Sequence, residues 1–204
     1  MPLSKSLILN DTIQIHIWKI DESLINLKKL VSLSSEQKKV FGTRKTLIKK
    51  KQYLASRRLM EIFSIIDING VFNISSFKNK NSFYSISHTK KFAILSFGNV
   101  MNGVDIESYR SKIIEIKSKF VNKKENFATH SNDIKLLTRL WTSKEAIFKC
   151  MLIKGLSLKN DIQIKKFNHE SKVGFANVYL RNKKIKVNLH FINFNNYEIT
   201  LAHI

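Results

Sequence analysis

One cysteine (Cys150), one proline (Pro2) and six glycines are spread over 204 residues. A lone cysteine excludes a disulfide framework and any cysteine zinc cluster, and it fits a reducing cytoplasm. With no Pro- or Gly-rich stretch, no linker is marked, so the length reads as one large domain or two small ones packed together. No apolar run approaches the roughly 18 residues that a bilayer span needs. The first residues, Met1-Pro2-Leu3-Ser4-Lys5-Ser6, lead into an alternating, strand-like stretch and not into an apolar signal core. Acidic residues are scarce as well: 15 Asp and Glu stand against 36 Lys and Arg, a formal charge of +21. Biased codon usage explains much of the lysine excess as readily as an anionic partner does. Nucleic acid, a polyphosphate cofactor or an acidic protein would each satisfy the charge.

What the chain does have is apolar substance. At 43% hydrophobic and 10% aromatic it can build a core, which excludes a disordered basic tail. Residues 12–20 alternate as a half-buried strand, with Ile13, Ile15 and Ile17 on one side. A helical pattern runs from Glu22 to about Leu33, and Ser34 or Ser35 ahead of Glu36 can cap another short helix. A longer helix is predicted over Lys45 to Ile66 through Ile48, Ala55, Leu59, Ile62, Phe63 and Ile66, closed by Asp67-Ile68-Asn69-Gly70. Strands are predicted at 82–87, 91–97 and 101–107. The plan then repeats, with helices marked by Ile113, Ile116 and Phe120 and by Asp133 to Met151. Strands follow near 161–167, 173–180, 185–191 and 197–203. Two αβ halves, 1–100 and 101–204, are expected.

Four constellations carry chemistry. In Gly103-Val104-Asp105-Ile106-Glu107, strand alternation puts Asp105 and Glu107 on one side, about 6.6 Å of rise apart, where both can reach one hard cation. A D-x-E of this kind is also what a solvated strand end looks like. In Trp141-Thr142-Ser143-Lys144-Glu145-Ala146-Ile147-Phe148-Lys149, Trp141, Glu145 and Lys149 share a helix stripe. That stripe reads either as a surface ion pair beside a core tryptophan or as an acid for a metal with a lysine for phosphate. Ser87 and His88 in Ser85-Ile86-Ser87-His88-Thr89 are neighbours on a strand and so point apart, which argues against a Ser–His nucleophile. A hydroxyl and an imidazole there suit a phosphate or a purely structural role. Lastly, Arg57 sits in an apolar part of the long helix behind Lys49-Lys50-Lys51, and a guanidinium suits two-pronged phosphate contact.

In order and identity these segments resemble the 4′-phosphopantetheinyl transferases of the Sfp type, the larger, monomeric branch of that superfamily. The matching stretches are A-S-R at 55–57, I-S-H-T at 86–89, G-V-D-I-E at 103–107, K-F at 119–120 with Glu125 after it, and W-T-S-K-E-A-I-F-K at 141–149. The resemblance implies an α+β fold of two similar αβ halves about a pseudo-twofold axis, with the active site in the cleft between them. It also implies transfer of the phosphopantetheine arm of coenzyme A to a serine of an apo carrier protein, releasing adenosine 3′,5′-bisphosphate. Asp105, Glu107 and Glu145 would hold Mg²⁺, with Mn²⁺ as a substitute, and a few carboxylates plus substrate phosphates are how Mg²⁺ is usually held. Lys149 and Lys144 would neutralise the phosphates, while Arg57, Ser87 and His88 would lie around the nucleotide 3′-phosphate. Glu145 is the expected base, with Glu125 or a metal-bound water as competitors. The family's G-x-G-L turn survives only as Gly155-Leu156, which bears on substrate preference more than on chemistry.

Two rivals fit less well. A metal nuclease usually places a lysine two residues after its second acid, where this chain has Tyr109. A nucleic-acid module would show zinc spacing, a basic zipper or an aromatic RNA signature, and none is present. The partners that the resemblance implies are coenzyme A and an acidic carrier that a basic surface would steer, and neither nucleic acid nor a membrane is expected.

Overall fold

The structure is a computed structural model and describes residues 3–9, 12–63, 65, 82–181 and 183–204. The chain is α+β and divides into two compact units, Met1–Asn99 and Val100–Ile204.

In the first unit, strands β1 (Leu3–Leu9), β2 (Ile13–Lys19), β3 (Phe83–His88) and β4 (Phe92–Gly98) form an antiparallel sheet in the order β1-β2-β4-β3. Ser23 caps α1 (Leu24–Leu30), and Ser34 with Gln37 forms a capping box on α2 (Ser35–Gly42). Thr46 takes the Lys49 amide and so starts α3 at Leu47–Ile62, two residues later than the sequence spacing suggests. The stripe that α3 buries is Tyr53, Leu54, Ala55, Leu59 and Met60, packed with Ala93 and Leu95 of the sheet. Ile48 and Ile62, expected in that stripe, are 41% and 40% exposed. Ile66 and the turn 67–70 lie outside the described residues.

His16 on β2 is 5% exposed, lies 2.8 Å through Nδ1 from Ser6 Oγ, and stacks on Phe63 with ring centroids 3.5 Å apart. Burial lowers its pKa from 6.5 to about 4. The unfolded chain therefore takes up this proton first, so stability is lost as pH falls through 6.5 towards 4, by roughly 2 kcal/mol at pH 5. His16→Phe keeps the stacked ring and should flatten that part of the pH dependence, read as urea midpoints at pH 7 and pH 5.

The second unit holds β5 (Asn102–Ser108), α4 (Lys112–Glu115), α5 (Asn126–Thr129), α6 (Ile134–Met151), β6 (Ile162–Ile164), β7 (Val173–Leu180), β8 (Lys183–Phe194) and β9 (Tyr197–His203). Its antiparallel sheet runs β5-β9-β8-β7-β6, so β5 is an edge strand, with Asp105 opposite Thr200 and Glu107 opposite Glu198. The helix expected around 113–120 is instead the single turn α4 and a 3₁₀ turn over Lys117–Lys119. Asp133 caps α6 by accepting the amides of Lys135 and Leu136. Leu137, Leu140, Ala146, Ile147 and Cys150 of α6 share a core with Leu189, Phe191 and Ala202. The helix ends on Leu152 in the left-handed region (φ 53°), a conformation that glycine adopts at less cost, and the following turn places Gly155 at φ 84°. Among the described residues no helix is long and apolar enough to cross a membrane.

Candidate active site

The approach of α6 to β5 builds the acidic cluster. Gly103, Asp105 and Glu107 occupy the face of β5 turned to α6, and a Cβ on Gly103 would collide with the Ala146 carbonyl and the Cys150 amide. Glycine is thus what lets helix and strand come this close. Thr142 on α6 then pairs with Thr200 on β9 at 2.8 Å. Lys149, at the C-terminal end of α6, donates from Nζ to Asp105 Oδ1 at 2.7 Å and to the Val104 carbonyl at 3.1 Å. Glu107 accepts from Arg110 at 3.1 Å.

Burial, and next the neighbouring Asp105 charge, raise the carboxyl pKa values of Glu107 and Glu145, and Glu107 adds to the effect on Glu145. The three acids therefore share one field, which costs energy until a cation relieves it. In the observed arrangement Asp105 and Glu107 lean on Lys149 and Arg110. Among the described residues no three His, Cys, Asp or Glu side chains converge as a metal cluster. The donor chemistry, oxygen only, fits a hard divalent cation once those two contacts are exchanged. Beside Glu107 lies a cavity of about 220 Å³, lined by Arg110, Ile113, Ile116, Thr138 and Trp141. Cys150 is 1% exposed, and burial pushes its thiol up to about 12, so it stays out of the chemistry.

Lys144 corrects the sequence reading. It was expected at the phosphates, but its side chain is 0% exposed. Its ammonium donates to the carbonyls of Phe120 (2.7 Å), Leu158 and Ile162 (3.0 Å each) and pairs with Glu125 at 2.9 Å. Glu125, expected as a rival base, is equally buried and accepts the amides of Asn122 at 2.7 Å and Ile164 at 2.8 Å. Neither group can meet a substrate; together they tie α6 to the segments on either side of it. Removing one partner of such a pair strands a buried charge. Lys144→Met should thus cost about 3–5 kcal/mol in chemical denaturation. Adding Glu125→Gln should recover part of that loss, because the amide oxygen still accepts from Ile164.

In the first unit, α3 and the end of β3 bring Arg57 and His88 into one pocket of about 280 Å³, together with Arg44, Lys49, Tyr53 and Ser56. Ser87 is not with them. It is buried on the opposite face of β3, because strand alternation leaves only one of the pair on the α3 side. Sequence reasoning missed Arg44 and gave Ser56 no role, and it read Lys49 most simply as part of a solvated lysine face. The only signal was that Arg44 is one of just six arginines, while A-S-R at 55–57 named Ser56 without a role. Ser56 Oγ and the Nε atoms of Arg44 and Arg57 are buried without a hydrogen-bond partner among the described residues. Among the described residues that line it, Arg44, Lys49 and Arg57 make the pocket basic, which suits an anionic ligand.

No curated protein matches the chain. The model of one family, described as the 4′-phosphopantetheinyl transferase superfamily, matches residues 101–202. That span covers half of the chain and includes both G-V-D-I-E on β5 and W-T-S-K-E-A-I-F-K on α6. The strand and helix whose close approach assembles the Asp105–Lys149 contact are thus both matched, and the chain belongs to the 4′-phosphopantetheinyl transferase superfamily.

Proposed function

We propose that this protein is an Sfp-type enzyme, acting as a cytoplasmic monomer. It transfers 4′-phosphopantetheine from coenzyme A to a serine of an acidic apo carrier protein and releases adenosine 3′,5′-bisphosphate. The observation that carries this reading is the contact of Lys149 Nζ with Asp105 Oδ1 at 2.7 Å, with the field of Asp105 and Glu107 felt at Glu145. Two motifs separated by about 35 residues of sequence meet there in one cluster. Asp105, Glu107 and Glu145 would hold Mg²⁺, or Mn²⁺ in its place, which supplies positive charge to the pyrophosphate of coenzyme A.

This chain's own residues do the rest. Glu145, whose carboxyl holds its proton more tightly than an ordinary glutamate, takes the proton of the carrier serine. The serine oxygen forms its bond to the pantetheine-bearing phosphorus as the bond from that phosphorus to the adenosine bisphosphate breaks. Lys149, 27% exposed at its side chain, meets the charge that grows on the departing phosphate. Arg57 and His88 hold the 3′-phosphate end of the nucleotide. The surplus of basic residues attracts both the coenzyme and an acidic carrier.

The test is intact-mass spectrometry of apo carrier proteins incubated with this protein, coenzyme A and Mg²⁺. A gain of one phosphopantetheine group is expected. No gain on any of several fatty-acid, polyketide and peptide carriers would refute the reading.

A further inference from the structure

We infer that His190 and His203 form a two-imidazole site for a borderline divalent metal ion of the zinc class, separate from the carboxylate cluster on β5 and α6. The inference is independent of the proposed function.

The two histidines come from neighbouring strands of the second unit's sheet. The β8–β9 hairpin pairs Phe194 with Tyr197, and this register sets Leu201 opposite His190 and Asn188 opposite His203. The histidines are thus diagonal neighbours on one face, where backbones stand about 7–8 Å apart. Two imidazoles nearly close that gap. Their rings lie 22° from parallel with centroids 5.2 Å apart, and Nε2 of one is 3.2 Å from Nε2 of the other. A shared proton can sit between them, but this separation is at the long limit of a hydrogen bond. Two nitrogens held about 2.0–2.1 Å from a tetrahedral zinc ion stand about 3.3 Å apart, so the pair needs little movement to take one.

The chemistry of this face narrows the class. β8 and β9 together contain one acid, Glu198, which alternation puts on the other face, where Arg139 holds it. With no carboxylate from either strand the site suits neither Mg²⁺ nor Ca²⁺, whereas imidazole nitrogen suits zinc, copper and nickel. Both rings are half-buried, and burial lowers both pKa values, with a charge on His203 lowering that of His190 further. They are therefore in the neutral form that ligates a metal near neutral pH. Two protein ligands leave the rest of the shell to water. Once occupied, the site would tie β8 to β9, the strand that pairs with β5.

The test is calorimetric titration with Zn²⁺ in excess Mg²⁺, repeated with Co²⁺ and read by its visible absorption, on wild type, His190→Gln, His203→Gln and His169→Gln. His169 is the control, because it is exposed and meets a carboxylate, Asp133, at 2.8 Å. Wild type should bind one equivalent that His190→Gln and His203→Gln each weaken by about tenfold or more, while His169→Gln keeps it. Zn²⁺ should also raise the melting temperature of wild type more than that of either site variant. The two variants dismantle one site from different strands, so whichever folds decides. An equivalent whose affinity a folded site variant keeps would lie elsewhere, as at the carboxylate cluster, and would overturn the inference. So would a wild type that takes up no zinc, which would leave the pair as a hydrogen bond only.

Discussion

Asp105→Asn is expected to fold normally and to lose roughly 10²–10³-fold in kcat/KM. Asp105 is 6% exposed, and its amide isostere keeps the shape on β5 while still accepting from Lys149. What goes is the charge, which is needed twice: as part of the proposed cation's oxygen set and as the partner that holds Lys149 in place. Thermal melting should change little, and excess Mg²⁺ should restore part of the activity by mass action. Full turnover of Asp105→Asn at ordinary Mg²⁺ would end the metal proposal.

Arg57→Ala and Lys149→Ala should separate binding from chemistry. Arg57 is assigned to the 3′-phosphate, remote from the bond that breaks, so its contact is about equal in ground and transition states. Losing a charge-assisted contact of about 1.5–3 kcal/mol should raise KM for coenzyme A roughly ten- to hundredfold with a smaller effect on kcat. Dephospho-coenzyme A lacks that phosphate, so the variant should discriminate against it less than wild type does. Lys149 is assigned to charge that develops during transfer, and its removal should lower kcat with either cofactor. Steady-state kinetics of both variants with both cofactors is the measurement. An undiminished preference for coenzyme A in Arg57→Ala would refute that residue's assignment and leave the acidic cluster untouched.

Local pattern made much of the fold legible. Period-two alternation located β8 because Val187, Leu189 and Phe191 form its one buried face, and the apolar stripe between Asp133 and Met151 located α6 because a long amphipathic helix has few alternatives. The order of G-V-D-I-E and W-T-S-K-E-A-I-F-K was enough to point to the family. Periodicity showed that Ser87 and His88 face opposite ways. That Lys144 and Lys149, five residues apart, also project in different directions went unused when both were expected at the phosphates. Periodicity could not say which of each pair faces inward. For Lys144 the answer came from the carbonyls of Phe120, Leu158 and Ile162, 14 to 24 residues away in sequence. For His88 it came from the side of the sheet on which α3 packs. Both are set by contacts between segments far apart in the chain, and a one-dimensional pattern carries no record of which segments those will be.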